Sequence, residues 1–204
     1  MITLITVLNN RNNLNILKQN LLAVQSARQY GLDIICITRD KELYLNCRDI
    51  LMDDEGTESL VVHEKRATLE QAAKYISDKN EYVFLLKEGI KIPFNGLTQL
   101  LRDYYINNHA GFISALFNSY PIIYKIDDIY GKFENYHYKD SWEENSLVEV
   151  DTTPVKAMLT KTKLYKDIFC KDDLTDWKDY SYGVQLRRKG YKNFIDTKIK
   201  CGGI

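Results

Sequence analysis

The sequence of 204 residues lacks the patterns that mark most zinc sites, nucleotide-binding loops and hydrolase nucleophiles. Its four cysteines form no CxxC pair and its three histidines show no HxH or HExxH spacing, so a zinc site is not indicated. Neither GxGxxG nor a P-loop motif occurs, which disfavours dinucleotide and P-loop nucleotide binding. GxSxG is absent as well, so no serine nucleophile of that type is expected. We expect reduced thiols at all four cysteines: Cys36, Cys47, Cys170 and Cys201.

An excess of either charge is also missing, since basic and acidic residues each number 28. Without a positive net charge the sequence gives no support for general nucleic-acid binding. The apolar run that begins at Met1 has no charged segment before it and stops at Asn9, so it fits neither a signal peptide nor a membrane span. A cytoplasmic location is therefore expected.

What the sequence does contain is an alternation of strand and helix patterns, and 45% apolar residues to fill a core. We predict one domain, residues 1–204, of the α/β class, with a mostly parallel central sheet and helices on both faces. Strands are predicted at residues 2–8, 33–38, 60–63, 82–86, 111–117, 150–160 and 193–199. Helices are predicted at residues 13–31, 69–76, 97–104, 163–169 and 176–190.

Ligands of such sheets bind beyond the carboxyl ends of the parallel strands. The polar residues after the first, second and fourth predicted strands are therefore site candidates. They are Asn9, Asn10 and Arg11, then Thr38, Arg39 and Asp40, then Lys87, Glu88 and Gly89.

Residues 119–151 show a looser pattern, with tyrosines and Trp142 among charged residues. We predict an irregular segment here. Its aromatic side chains can stack on sugar rings or bases, or can anchor the loop to the core.

Five segments in chain order together resemble family-2-like GT-A glycosyltransferases, including short bacterial and phage versions. Residues 6–11 are similar to that family's opening TPVLNR, and residues 82–93 to YVLFLDDDVxxP. Residues 157–165 are similar to GAFMLIRREVF, residues 177–191 to WEDYDLGLRLRKAGY, and residues 196–204 to DTSVKCGHI. The resemblance implies a GT-A fold, with a nucleotide-binding half at residues 1–118 and an acceptor-side half at residues 119–204.

The resemblance also implies roles for individual residues. Asp179 matches the Asp that takes the acceptor proton, and Trp142 and Trp177 fall on the acceptor side. The nucleotide-sugar donor is expected to contact Thr6, Asn9, Arg11, Thr38, Arg39, Arg66, Glu88 and Gly89. No particular acceptor is implied.

The sequence departs from the family where its members hold Mg²⁺ or Mn²⁺. Lys87, Glu88 and Gly89 replace the acidic triplet, and Gly203 replaces the terminal histidine. Either the metal site was lost and relaxed, or a cationic side chain replaced the ion. We therefore predict no tightly bound metal and no other cofactor, although a divalent cation stays an option.

Lys87 and Asp179 are the candidate catalytic residues. Lys87 can stabilise the charge of a leaving diphosphate, or it can be an ordinary exposed turn residue. Asp179 can act as the base, or it can be an acid favoured by the first turn of a helix. An active glycosyltransferase and a catalytically inactive relic that serves as a binding or structural module both stay open.

Overall fold

The computed structural model describes residues 1–52, 58–117, 122–127, 132–137, 147–170 and 178–203. Its strands are β1 (Ile2–Val7), β2 (Leu32–Thr38), β3 (Glu58–His63), β4 (Tyr82–Leu86), β5 (Ile90–Lys91), β6 (Ala110–Phe117), β7 (Ile122–Asp127), β8 (Lys132–His137), β9 (Leu147–Val150), β10 (Ala157–Lys161) and β11 (Lys192–Gly203). Its α-helices are α1 (Leu14–Ala23), α2 (Lys41–Met52), α3 (Gly96–Ile106), α4 (Thr162–Leu164) and α5 (Lys178–Arg188). Shorter helical turns cover Arg11–Asn13, Gln25–Tyr30, Glu70–Tyr75 and Tyr165–Phe169.

Nine of these strands form the main sheet of the described part, in the order β3-β2-β1-β4-β10-β6-β11-β5 with β9 beside β11. Strand β1 runs parallel to β2 and β4, β2 runs parallel to β3, and β6 runs parallel to β11. Strand β10 lies antiparallel between β4 and β6, so β6 points the same way as β4. Six strands therefore share one direction, which confirms the predicted mostly parallel sheet.

Helices cover both faces of this sheet, as predicted. On one face, α1, α2 and α3 pack through Leu17, Leu43 and Leu100 against alternate strand residues such as Leu4 and Phe84. On the other face, α5 packs through residues such as Tyr182 against Leu85 and Met158, together with Tyr165 and Phe169. Side chains of a strand alternate between faces, which is why neighbours such as Phe84 and Leu85 lie in different clusters.

Helix α2 was not predicted. It buries Leu43, Cys47 and Leu51, which are spaced by four residues on one face, and leaves the others half-buried or exposed. Asp40 caps it, with Oδ1 accepting from the backbone N–H of Glu42 at 2.8 Å and of Leu43 at 2.9 Å. A capping residue followed by this spacing is the sequence signal of the helix.

Other boundaries also differ from prediction. The helix expected at residues 69–76 is only the 3₁₀ turn Glu70–Tyr75, and the strand expected at 150–160 is only β10. Residues 151–156 lead from Val150, which pairs with the start of β11, to Ala157, which pairs with the end of β4. They cross from the amino edge of the sheet to its carboxyl edge as irregular chain, with a single bridge residue at Thr152. The segment 119–151, predicted irregular, contains the antiparallel pair β7–β8 and strand β9.

The described helices include none that is long and apolar enough to cross a lipid bilayer. The four cysteines have free thiols.

Candidate functional site

Three parallel strands end level with one another at the carboxyl edge of the sheet. Thr6 of β1 lies opposite Cys36 of β2 on one side and Leu86 of β4 on the other. The loops that follow β1, β2 and β4 therefore meet, as the sequence predicts for a ligand site at this edge. Thr6 itself is buried between its neighbours at 4% exposure.

The turn after β4 keeps a defined backbone although the acids of the related family are missing. Ile90 donates its N–H to the Lys87 carbonyl at 3.2 Å, and Gly89 between them has φ of +77°. This is the arrangement of a type II turn, whose third position favours glycine. Gly89 is thus required by the backbone, whatever contact it makes with a donor.

Glu88, the one carboxylate left in this turn, is engaged by the loop after β1. Its Oε1 accepts from the backbone N–H of Asn9 at 2.8 Å and of Asn10 at 2.5 Å, and from Nδ2 of Asn13 at 3.0 Å. Glu88 therefore ties the β4 turn to the start of α1. The sequence did not point to Asn13, although the run of four asparagines around Arg11 offered many donors for a carboxylate.

Arg11 is likewise engaged by acidic side chains. Its Nη2 lies 2.5 Å from Glu42 Oε2 and 3.7 Å from Asp40 Oδ2, at the start of α2. The backbone N–H groups of Leu43 and Glu42, with Arg11, hold the pKa of Asp40 below its usual value. Thr38 is fully buried, and its Oγ1 accepts from the Asp40 N–H at 3.2 Å. Arg11, Thr38 and Asp40 thus form one cluster at the β2 end of the edge.

The remaining cationic candidates are open to solvent. Arg39 and Arg66 are exposed where the chain leaves β2 and β3, and Lys87 is exposed where it leaves β4. Lys87 donates its backbone N–H to the Lys156 carbonyl at 2.8 Å, which extends the β4–β10 ladder by one step. Its side chain therefore starts from a fixed backbone position.

The structure brings together the two places where the sequence departs from the family's metal ligands. Gly203 of β11 pairs with Ile90 of β5, the residue that closes the Lys87–Ile90 turn. The two replacements thus fall on one site.

The residues at this place do not fit a divalent ion. Mg²⁺ and Mn²⁺ prefer several carboxylate or other hard oxygen ligands. Here a lysine and a glycine stand at two of the positions, and Oε1 of Glu88 already accepts three hydrogen bonds. The described residues contain no group of three or more histidine, cysteine or acidic side chains able to hold a metal.

Two acceptor-side predictions, Trp142 and Trp177, lie outside the described residues. Asp179 is the second residue of α5, and only its backbone is described. One turn further on, Gly183 lies directly against Thr152, so α5 is held close to the segment that leads to β10.

A pair of carboxyl groups links α3 to β11 away from this edge. Burial first, then the hydrogen bond and repulsion from Asp196, raise the pKa of Asp103 to about 7, although Gln99 and Lys198 oppose the shift. Oδ2 of Asp196 is buried, and no N–H or hydroxyl group of the described residues donates a hydrogen bond to it. The hydrogen bond between the two carboxyl groups requires a proton, which the raised pKa assigns to Asp103.

This pair makes stability depend on pH. Because the folded pKa of Asp103 exceeds the unfolded value, the folded chain binds more protons between about pH 4 and 7, and the free energy of unfolding falls as pH rises through that window. Asp103→Asn keeps a donor and removes the titration. We expect it to melt on the order of a few degrees above wild type at pH 8, and close to wild type at pH 5.

Thermal denaturation followed by circular dichroism at several pH values tests this expectation. Asp49→Asn is the matched control, because Asp49 is 72% exposed. A difference between Asp103→Asn and wild type that stays constant from pH 5 to 8 would contradict the assignment.

No protein-family model and no curated protein matches the chain. Solved structures do match, and the two described next are among those that cover the whole chain. GalNAc-T7, crystallised with UDP, GalNAc and Mn²⁺, superposes with a TM-score of 0.76 at 11% identity, and this chain spans 44% of that chain. The 4-diphosphocytidyl-2C-methyl-D-erythritol synthase of Anaerococcus prevotii superposes with a TM-score of 0.64 at 14% identity, and this chain spans 89% of it.

At identities this low the superpositions show the fold alone. The sheet order and the strand directions agree with the fold that the sequence motifs predicted. The chain has a GT-A-like nucleotide-diphospho-sugar transferase fold.

Proposed function

We propose that this chain is a glycosyltransferase-like protein that transfers a sugar from a nucleotide-sugar donor to an acceptor, without a tightly bound metal. The observation that carries the proposal is the position of Lys87. It is exposed at the end of β4, at the carboxyl edge of a GT-A-like sheet, where the acids of the related family hold a metal against the diphosphate. A fixed ammonium group there can stabilise the negative charge of a leaving diphosphate.

A buried polar atom near the same edge also supports a nucleotide. Oδ1 of Asn9 is buried and has no hydrogen-bond partner within the described part of the chain. Asn9 lies in the loop after β1, which in the related family lies under the base. An N–H group of a base would satisfy the Asn9 oxygen, which is costly to leave unpaired.

Asp179 is the proposed base of the transfer. It stands near the start of α5, and it matches the aspartate of the family motif. A carboxylate in reach of the acceptor hydroxyl would take its proton as the glycosyl bond forms. Arg39 and Arg66 are proposed to add positive charge on the donor side.

The first test is calorimetry with UDP, GDP, CDP and dTDP, in EDTA and then in Mn²⁺. We expect one nucleotide to bind with an affinity that the chelator does not change. Replacement Lys87→Ala should weaken that binding by roughly 1.5–3 kcal/mol, the range for a charge-assisted contact. Lys163→Ala is the matched control, because Lys163 is exposed on α4 at the opposite edge of the sheet.

Binding that appears only with Mn²⁺ would overturn the metal-independent site and would make another carboxylate, such as Asp40 or Asp179, a ligand. The alternative function is a catalytically inactive glycosyltransferase relic that acts as a binding or structural module. Nucleotide binding without turnover of any nucleotide sugar would favour the relic, and Asp179→Asn would then change nothing measurable. Turnover that Asp179→Asn abolishes would favour the enzyme.

A further inference from the structure

The register of the sheet places a second lysine directly opposite Lys87. Strands β4 and β10 are antiparallel, with Leu86 opposite Ala157. One step beyond, Lys87 lies opposite Lys156, and the backbone hydrogen bond of 2.8 Å between them confirms that the ladder reaches this far. Residues directly opposite in antiparallel strands start their side chains from the same face, about 5 Å apart.

Two like charges in this position oppose each other and destabilise a sheet. The side chain of Lys156 is turned to the edge, since its Nζ lies 5.4 Å from the centre of the Phe117 ring, at the end of β6. Lys156 is half-buried, whereas Lys87 is exposed. Lys156 thus brings a second cation to the same edge of the sheet, from the strand position opposite Lys87, with its ammonium group over the Phe117 ring.

We propose that Lys87 and Lys156 form one anion site that binds the diphosphate group of a nucleotide. Two ammonium groups bring the same formal charge as one divalent ion, and they stand next to the turn that carries acids in the related family. The nucleotide part of this inference rests on the proposed function. The anion site does not, because a diphosphate without sugar or base tests it.

The probe is inorganic pyrophosphate, titrated by calorimetry into the full chain in EDTA at low salt. We expect Lys156→Met and Lys87→Met each to weaken binding by about 10- to 100-fold, and Lys156→Arg to restore most of the Lys156 loss. Lys163→Met, at the opposite edge, should leave the affinity unchanged. Added salt should weaken binding to wild type more than binding to the variants.

A structural role for Lys156 predicts a different result. If Lys156 served only the fold, Lys156→Met would lower the melting temperature. We expect a melting temperature close to that of wild type, because Met keeps an unbranched apolar side chain against the Phe117 ring. Loss of pyrophosphate binding at an undiminished melting temperature therefore identifies the anion site.

Three outcomes would overturn the inference: wild-type chain that does not bind pyrophosphate at millimolar concentration, binding that only Lys87→Met weakens, or equal losses for Lys156→Met and the Lys163→Met control. Pyrophosphate binding that needs both lysines, without binding of any nucleoside diphosphate, would keep the anion site and reject the proposed function.

Discussion

Replacement Gly183→Ala is expected to lower the free energy of unfolding by about 2–3 kcal/mol, in spite of the better helix propensity of alanine. Gly183 lies in the interior of α5, where alanine alone would stabilise by about 1 kcal/mol. A Cβ at this position would stand 2.4 Å from Oγ1 of Thr152 and 2.8 Å from its Cα. The hydroxyl can rotate away but the Cα cannot, so the helix or the 151–156 segment must move.

Urea denaturation of Gly183→Ala measures the loss, and Gly202→Ala is its control. Apart from its two chain neighbours, no atom of the described residues lies within 4 Å of the position of a Cβ on Gly202, so alanine fits there without displacement. Equal stability of the two variants would show that α5 does not pack against Thr152 as described.

The contact between Gly183 and Thr152 also affects the position of the proposed base. Asp179 stands one turn before Gly183, so a displaced α5 moves the proposed base relative to the edge of the sheet. We therefore expect Gly183→Ala to lower any transferase turnover more than it lowers nucleotide affinity, since the residues proposed to bind the nucleotide lie in other loops.

The strands that deliver the site could be predicted because each is a short apolar run with a polar residue at its end. Tyr82 to Leu86 is such a run, and Lys87 ends it, so both bounds of β4 were predicted correctly. Helix α2 was missed because only three of its twelve residues are buried, which leaves a weak apolar pattern. The prediction at Glu70–Tyr75 erred in the opposite direction. The alanines there are spaced like one face of an α-helix, but the segment forms a 3₁₀ turn.

Contacts between distant loops could not be predicted from the sequence, for a different reason. Lys156 lies 69 positions from Lys87, and it faces Lys87 only because β10 enters the sheet antiparallel beside β4. Apolar patterning reports which residues are buried and does not report strand direction. The family motifs ordered the segments along the chain, but they did not show that Glu88 would be engaged by the loop after β1.

The engagement of Glu88 leads to the second large effect, in which two substitutions at one position act in opposite directions. Glu88→Ala leaves three donors without their acceptor: the N–H groups of Asn9 and Asn10 and the amide of Asn13. We expect a loss of about 2 kcal/mol in the free energy of unfolding and faster hydrogen exchange at the Asn9 and Asn10 amides. Glu42→Ala, which removes an exposed carboxylate paired with Arg11, should cost less than about 1 kcal/mol.

Nucleotide affinity separates the two roles that a carboxylate can have beside a diphosphate. If Glu88 acted on the ligand only through its charge, removing that charge would strengthen binding in both Glu88→Ala and Glu88→Gln. If it also holds the loop after β1, the alanine variant loses the loop and binds more weakly, whereas glutamine keeps an acceptor oxygen and binds more tightly than wild type. Calorimetry with the best nucleoside diphosphate decides between these outcomes. Tighter binding by both variants would mean that Glu88 affects the nucleotide only by charge repulsion. If both variants bind more weakly than wild type, and Mn²⁺ raises the affinity of wild type alone, Glu88 is a metal ligand.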